Sequence, residues 1–437
     1  MLKITYVGFL SQEIPIDGKK EIQVNLQENV SSLEEIVVVG YGTQSKKDIT
    51  GSISVVKGDD ITSRNVTNVS NALQGAVAGV SVTRSSSAPG AGNTINIRGI
   101  TTLQGDSSPL ILVDDVPVDN INDVNPDQIE SISVLKDGAS SAMYGSRAAA
   151  GVIIITTKPG KEGIYKVSYN GEFIMNTPTE SRKNVSVTRY FEMDNEKAWN
   201  DNGNTGVEDP TWASDYIANY DANHLLDPDQ FPDTDWKDLI LNDASYGYRH
   251  NIAVSGGSEK IKSSFTMGYE YQDALYDNSN WRRYTGRLNN DVKISDKIGA
   301  NIDFAVKLTT NNNPVIDPTE LALNSGPNYA AVWQDGRIAG GKSGENAYAI
   351  VQSGGFQKSE SYLFYGKIGA YYKPTDYLKL SVNLAPNFNF NKYKFFNEAI
   401  PYYDFDDPNQ TGVPAYISGH NASQNYLLEN RTNDNTL

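Results

Sequence analysis

Through the second half of the chain, apolar and polar residues alternate at every second position. Tyr165, Val167, Tyr169, Gly171, Phe173 and Met175 fall on one side, and Lys166, Ser168, Asn170, Glu172 and Asn176 on the other, because a strand sends successive side chains to opposite faces. The pattern returns at Ile261, Phe265, Met267, Tyr269 and Tyr271, and at Tyr284, Leu288, Val292 and Ile294. It continues at Ile298, Ala300, Ile302, Phe304, Val306 and Leu308, at Tyr362, Phe364, Ile368, Ala370 and Tyr372, and at Leu378, Leu380, Val382, Leu384, Phe388 and Phe390. Each run is about ten to thirteen residues, longer than an ordinary globular strand and close to the ~9 to 11 that cross a bilayer. With a further run at 246–255, about seven strands of an antiparallel transmembrane β-barrel are expected.

The connections support this reading by alternating in length. Short turns at 256–260, 295–297 and 373–377 contrast with long polar segments at 176–245 and 310–361 and a medium one at 273–283. Outer-membrane barrels have short turns at the periplasmic end and long loops outside. A soluble β-sandwich also alternates, but it has little room for long structureless loops.

Before the alternating region lies a compact segment, 31–163, of different texture. Short β runs are expected at 53–56, 80–83, 94–97, 110–113, 129–135 and 152–156, with an amphipathic piece at 66–77 and a small helix at 139–144. The run at 152–156 is Val- and Ile-rich throughout, as befits a strand buried on both faces. A mixed α/β unit ahead of a large barrel suits a plugged lumen.

Composition narrows the function. The chain has 437 residues and a net charge of −16, with 53 acidic against 37 basic side chains, which argues against nucleic acid as a partner. The 26 Tyr against 13 Phe suit interfacial girdles. There is no Cys, and His224, His250 and His420 are too scattered for a zinc site. No apolar run is long enough for a membrane helix, so any crossing must be by barrel. Met1 to Leu10 lacks the pattern of a secretory signal, and the polar stretch after Asn391 runs to Leu437 as an unfinished loop. Scaling about seven strands up to a barrel of ~22 gives roughly 850 residues, so a fragment is expected.

Specific motifs follow the same order. LEEIVVVGYGTQSKKDITGSIS at 33–54, NALQGAVAGVSV at 71–82, INIRG at 95–99, PLILVDDVPV at 109–118 and DQIESISVLKDGASSAMYGSRAAAGVIIITTKPG at 127–160 resemble the plug domain of SusC/RagA-type TonB-dependent outer-membrane transporters. The matching plug positions include Arg98, Gly99, Asp114, Asp137, Gly138, Tyr144, Gly145 and Arg147. One departure is Asp115, where the family usually has Gly, which makes the backbone geometry of that turn a question. Residues 2–28 are similar to the end of a carboxypeptidase-regulatory-like β-sandwich. The resemblance thus divides the chain into a sandwich remnant (1–30), a TonB box with linker (31–45), the plug (46–163) and the first part of the barrel (164–437).

The resemblance implies import of a bulky nutrient, an oligosaccharide or a peptide, across the outer membrane, with a SusD-like surface lipoprotein as lid and outer-membrane lipid around the barrel. Energy would come from TonB and its inner-membrane motor proteins. Glu35, Ile36, Val37, Val38, Val39 and Gly40 match the position of the TonB box, an extended peptide that adds as a strand to TonB's sheet edge. Neither a cofactor nor a metal is implied. The alternative is a receptor of the same architecture that signals rather than transports. An enzyme is disfavoured, since no acid–base or nucleophile constellation is visible.

Other features carry less. Gly336, Gly341, Lys342 and Ser343 satisfy a phosphate-loop spacing but lack its strand-and-helix context, and Gly40 and Gly42 begin a dinucleotide fingerprint that fails at Ser45. Asp227, Asp229, Asp233 and Asp235, and Asp404, Asp406 and Asp407, lack EF-hand spacing. Arg98 and Arg147 are candidates to bridge carboxylates on the barrel wall. Trp212, Trp236, Trp281 and Trp333 lie in or beside outside loops, where a sugar face can stack on a ring or the ring can simply pack the loop.

Overall fold

The computed structural model describes residues 52–405, apart from 65–67, 85, 101–106, 179–183, 207–210 and 376, together with short pieces at 2–4, 12–14, 24, 26, 36–39, 42–45, 413–415 and 426–436. Ahead of residue 52, backbone pairing defines two hairpins: β1 (Leu2–Ile4) with β2 (Gln12–Ile14), and β3 (Ile36–Val39) with β4 (Gly42–Ser45).

The next unit comprises β5 (Ile53–Lys57), α1 (Gly58–Thr62), α2 (Val69–Leu73), β6 (Val80–Arg84), β7 (Asn93–Ile97), β8 (Leu110–Val113), β9 (Val116–Val118), β10 (Ile129–Leu135), α3 (Gly138–Ser141) and β11 (Val152–Thr157). Five strands form one sheet in the order β5-β10-β11-β8-β9, with β11 and β8 parallel and the other neighbours antiparallel. As its composition requires, β11 is buried on both faces. Ile153 and Ile155 join α1, α2, Ile132 and Val134 in the main core, whereas Val152 and Ile154 pack with Leu112, Leu135 and Ala148 on the other side. The amphipathic piece expected at 66–77 condenses to the single turn of α2, and Val66 lies outside the described residues. Gly75 and Gly79, both at positive φ, turn the chain away from the helix axis. The helix expected at 139–144 begins one residue earlier as α3 and continues as a 3-10 turn broken at Gly145 (φ 68°, ψ −155°).

The alternating region forms one antiparallel meander. Its elements are β12 (Gly163–Asn176), α4 (Val187–Asp201), α5 (Ser214–Leu226), α6 (Trp236–Ile240), β13 (Ser245–Gly257), β14 (Ile261–Asp273), β15 (Asn280–Lys293), β16 (Ile298–Asn313), α7 (Pro318–Asn324), α8 (Ala347–Ser353), β17 (Gly355–Thr375), β18 (Leu378–Asn397), β19 (Ile400–Tyr402), β20 (Val413–Ala415) and β21 (Tyr426–Thr436). β12 to β18 pair in sequence, and β21 adds to β18 as an eighth strand. All seven expected runs are therefore strands, and part of the stretch read as an unfinished loop is strand β21. Its sequence, YLLENRTNDNT, is too polar to have announced it. The strands lie in a single sheet rather than two facing ones, which removes the sandwich.

Alternation sorts the faces of this sheet. Phe173, Ile252, Phe265, Met267, Leu288, Ile302, Phe304, Ile368 and Val382 stand exposed on the outside, whereas Arg249, Glu270, Arg283 and Arg287 are buried inside. The short connections all fall at one end and the long ones at the other, as expected. The long ones are not structureless. Phe191 and Tyr220 bury one core between α4 and α5. A second core draws Trp236 from one long connection, Leu321, Ala347, Ile350 and Val351 from the next, and Ile400 from the third.

Candidate functional site

The mixed α/β unit sits on the inner face of the meander and is held there through its turns. Its main apolar core already includes Ala305, Leu363 and Tyr365 from β16 and β17, so core and wall are continuous. Around that contact the chemistry is ionic. The β8–β9 hairpin turns at Asp114 (φ 48°) and Asp115 (φ 72°). Two central residues at positive φ are what a type I′ turn needs. Asp115 thus takes up a left-handed conformation of the kind Gly adopts without strain, which answers the question of that turn's geometry.

Both carboxylates of the turn are engaged. Asp114 accepts from Arg287 Nη1 at 2.8 Å, from the Thr157 N–H at 2.9 Å and from Thr157 Oγ1 at 2.7 Å, while Asn289 Nδ2 donates to Thr157 Oγ1 at 2.7 Å. Arg287 also donates to Tyr365 Oη at 2.6 Å. Asp115 accepts from Lys367 Nζ at 3.0 Å, and Lys367 lies 3.6 Å from Asp303 on the wall.

Two 3-10 turns, Ile121–Asp123 and Pro126–Gln128, extend the seam. Lys307 pairs with Asp123, and Asn251 donates to Asp127. Gln128 Nε2 reaches Thr266 Oγ1 at 2.7 Å, and Arg283 Nη1 reaches the Asn122 carbonyl at 3.0 Å. Arg283 is itself fixed by Glu270 at 2.6 Å and lies over the Trp281 ring at 5.1 Å. Gly268 of β14 makes room for this approach: a Cβ there would stand 2.6 Å from Asn251 Oδ1 and 2.9 Å from Asn125 Nδ2.

The remaining plug positions build the unit itself. Arg98 (φ 58°) and Gly99 (φ 89°) form a bend after β7, with the Arg98 N–H donating to the Gly79 carbonyl at 2.7 Å. Asp137 caps α3, accepting from the Ser140 N–H at 2.7 Å and from the Ser52 N–H. These two donors hold its carboxyl below the usual carboxylate value. Gly138 opens α3, Tyr144 packs against the smaller core, and Gly145 breaks the following turn. Arg98 and Arg147 are exposed. Among the described residues the ion pairs across the seam have the opposite polarity to that expected for these arginines: the plug supplies carboxylates and the wall supplies Arg and Lys. The missed signal was Arg287, Lys307 and Lys367, basic residues on the inward, polar face of the alternating strands.

Ile36, Val37, Val38 and Val39 are extended and pair with Gly42–Ser45 in the order Ile36 to Ser45 through Val39 to Gly42. Glu35 and Gly40 lie outside the described residues. The phosphate-loop look-alike sits between β16 and β17, where Lys342 Nζ donates to the Asn324 carbonyl at 3.0 Å. In the acidic cluster, Asp227 accepts from the Gln230 N–H, Asp235 caps α6, and burial pushes the Asp233 carboxyl up. Asp406 and Asp407 lie outside the described residues.

Comparison with known proteins agrees with this geometry. Residues 45–152 match the TonB-dependent Receptor Plug Domain. The chain is 36% identical over 304 residues to TonB-dependent receptor P26 of Formosa agariphila, covering 68% of this chain and 29% of that protein. It is 33% identical over 301 residues to TonB-dependent receptor SusC of Bacteroides thetaiotaomicron, covering 66% and 27%. The chain thus spans less than a third of these curated relatives. Among solved structures, the RagAB peptide importer in its open-open state superposes with a TM-score of 0.66 at 22% identity, over 85% of this chain and 44% of that one. These relatives are receptors, and the chain is not an enzyme. It belongs to the SusC/RagA-type TonB-dependent receptors, of which it carries the plug and an incomplete barrel.

Proposed function

We propose that the full-length protein imports a bulky nutrient, an oligosaccharide or a peptide, across the outer membrane, driven by TonB and working beneath a SusD-like lipoprotein. The observation that carries this reading is the seam. A plug that opens a lumen must stay seated at rest and leave when pulled. Polar contacts suit this because each bond broken is replaced by one to water, so even a bond to a charged group has a net worth of only about 1.5–3 kcal/mol. The pull would enter at Glu35 to Gly40, the TonB box. Its Ile36–Val39 core is extended and occupies one edge of a short hairpin, and strand addition needs one such segment in extended form.

In the full-length protein, Val38→Pro removes a main-chain N–H from that segment. Uptake should be abolished while ligand binding at the cell surface persists. Undiminished uptake would place the energy-coupling segment elsewhere.

A further inference from the structure

The four tryptophans noted beside the outer connections separate sharply in the structure. Trp212 is packed 4.3 Å from Phe191, Trp236 is 2% exposed in the core of the long connections, and Trp281 is 6% exposed beneath Gly90. The first two hold the long connections together, and Trp281, on β15, packs against the plug. Trp333, half-buried as Trp212 is, differs in lining a cavity of about 580 Å³, a size within the usual range for small-molecule sites.

The cavity is formed where a hairpin meets the chain leaving β19. Val332 bridges Ile338, Ala339 bridges Tyr403, and the Tyr403 N–H donates to the Ile338 carbonyl at 3.0 Å. Trp333 Nε1 donates to the Tyr403 carbonyl at 2.8 Å. That bond fixes the indole at the wall without sinking it into a core. Phe405 lies 5.8 Å from Trp333 between ring centroids and is 36% exposed. Asp229, Asn328 and Asp404 are among the polar residues of the lining, and Asp229 accepts from the Gln334 N–H at 2.9 Å.

We infer that this cavity is a subsite for a neutral sugar ring, which makes the cargo a glycan rather than a peptide. Oriented aromatic faces meet the apolar face of a pyranose, while carboxylate and amide oxygens accept from its hydroxyls. An anionic sugar is disfavoured by the carboxylates and by a net charge of −16. The neighbouring cation, Arg337, is already engaged: it pairs with Asp335 at 2.6 Å, donates to the Asp404 carbonyl at 3.2 Å and covers the Tyr403 ring at 5.7 Å. The inference rests on the import reading only for the fate of the bound sugar.

The test is calorimetric titration of the full-length receptor with maltoheptaose, cellohexaose, xylohexaose, inulin oligosaccharides and a tryptic casein digest. One neutral oligosaccharide should bind. Trp333→Ala and Phe405→Ala should each weaken it by about tenfold, a loss of the size an aromatic contact supplies. Trp333→Phe, which keeps a ring and guards against misfolding, should stay within about threefold. Wild-type affinity in Trp333→Ala overturns the proposal, as does binding of the casein peptides alone or of nothing in the panel. Val38→Pro separates the two readings: sugar bound through Trp333 with uptake undiminished would refute TonB-driven import through that segment and leave the subsite standing.

Discussion

The plug is held together mainly by apolar contacts and held in place mainly by polar ones, Ala305, Leu363 and Tyr365 being the wall residues that join its apolar core. Inside it, β11 runs through apolar neighbours on both faces, with Val152, Ile153 and Ile155 fully buried. Where it meets the wall, Asp114, Asp115, Asp123 and Asp127 face Arg287, Lys367, Lys307 and Asn251. Apolar burial is non-directional and is lost only by creating a cavity or exposing surface to water. Charged hydrogen bonds are directional and are readily exchanged for water, but only when water can enter. The contrast predicts that the seam can open while the plug's own sheet stays folded.

Arg287→Ala is the strongest way to break this contrast. It leaves the Asp114 carboxylate without its counter-ion, with only the Thr157 donors, and removes the donor to Tyr365, for an expected cost of about 3–5 kcal/mol. Hydrogen exchange on the full-length receptor should quicken around 110–118 and leave β10 protected. Equal loss of protection in both would show that seam and sheet open as one unit.

Ile154→Ala attacks the other side. It empties space in the smaller core between Leu112, Leu135 and Ala148, at a cost of about 2–5 kcal/mol. Exchange should now quicken across β8, β10 and β11 together. Confinement of the change to the seam would reverse the assignment of the two regions.

How far each region was legible follows from the same difference. The run Val152 to Thr156 declared a two-faced burial because a continuous Val/Ile stretch has few other stable uses. Likewise, strict alternation in β13 to β18 declared one apolar and one polar face. What the polar face meets was not legible: Lys307 and Asp123 are separated by 184 positions, and Lys367 and Asp115 by 252. The helices α4 and α5 were hidden by the many Asp and Asn residues around Phe191 and Tyr220. The reading of Ile36 to Val39 as a TonB box rests on resemblance, since the run alone also reads as an ordinary buried strand.

A smaller effect sharpens the plug side. Asp137→Ala removes the cap of α3, worth about 0.5–2 kcal/mol. The Asp137 carboxyl is depressed below its ordinary 3.8 by the Ser140 and Ser52 N–H groups. Its contribution is therefore complete above about pH 4 and declines as pH falls through the lower folded value. The wild type should lose protection at 137–141 on acidification. The variant should start lower and show a flatter acid limb. An identical acid limb in both would mean that other carboxylates carry the change.

The smallest net effect is expected at Asp115, where seam and turn geometry act against each other. Asp115→Gly relieves a left-handed residue of roughly 1–2 kcal/mol of strain. It also frees the unfolded chain, at a cost of about 0.4–1 kcal/mol, and removes a partner of Lys367, which keeps Asp303 at 3.6 Å. The terms nearly cancel, leaving a change within about 1 kcal/mol. Asp115→Asn separates them, because Asn tolerates the left-handed region at least as well as Asp but brings no charge. It should therefore destabilise the seam more than Gly does, with faster exchange around 114–118. If Asn proves as harmless as Gly, the Asp115–Lys367 pair adds nothing to seating the plug, and Arg287 with Asp114 must hold that end of the seam alone.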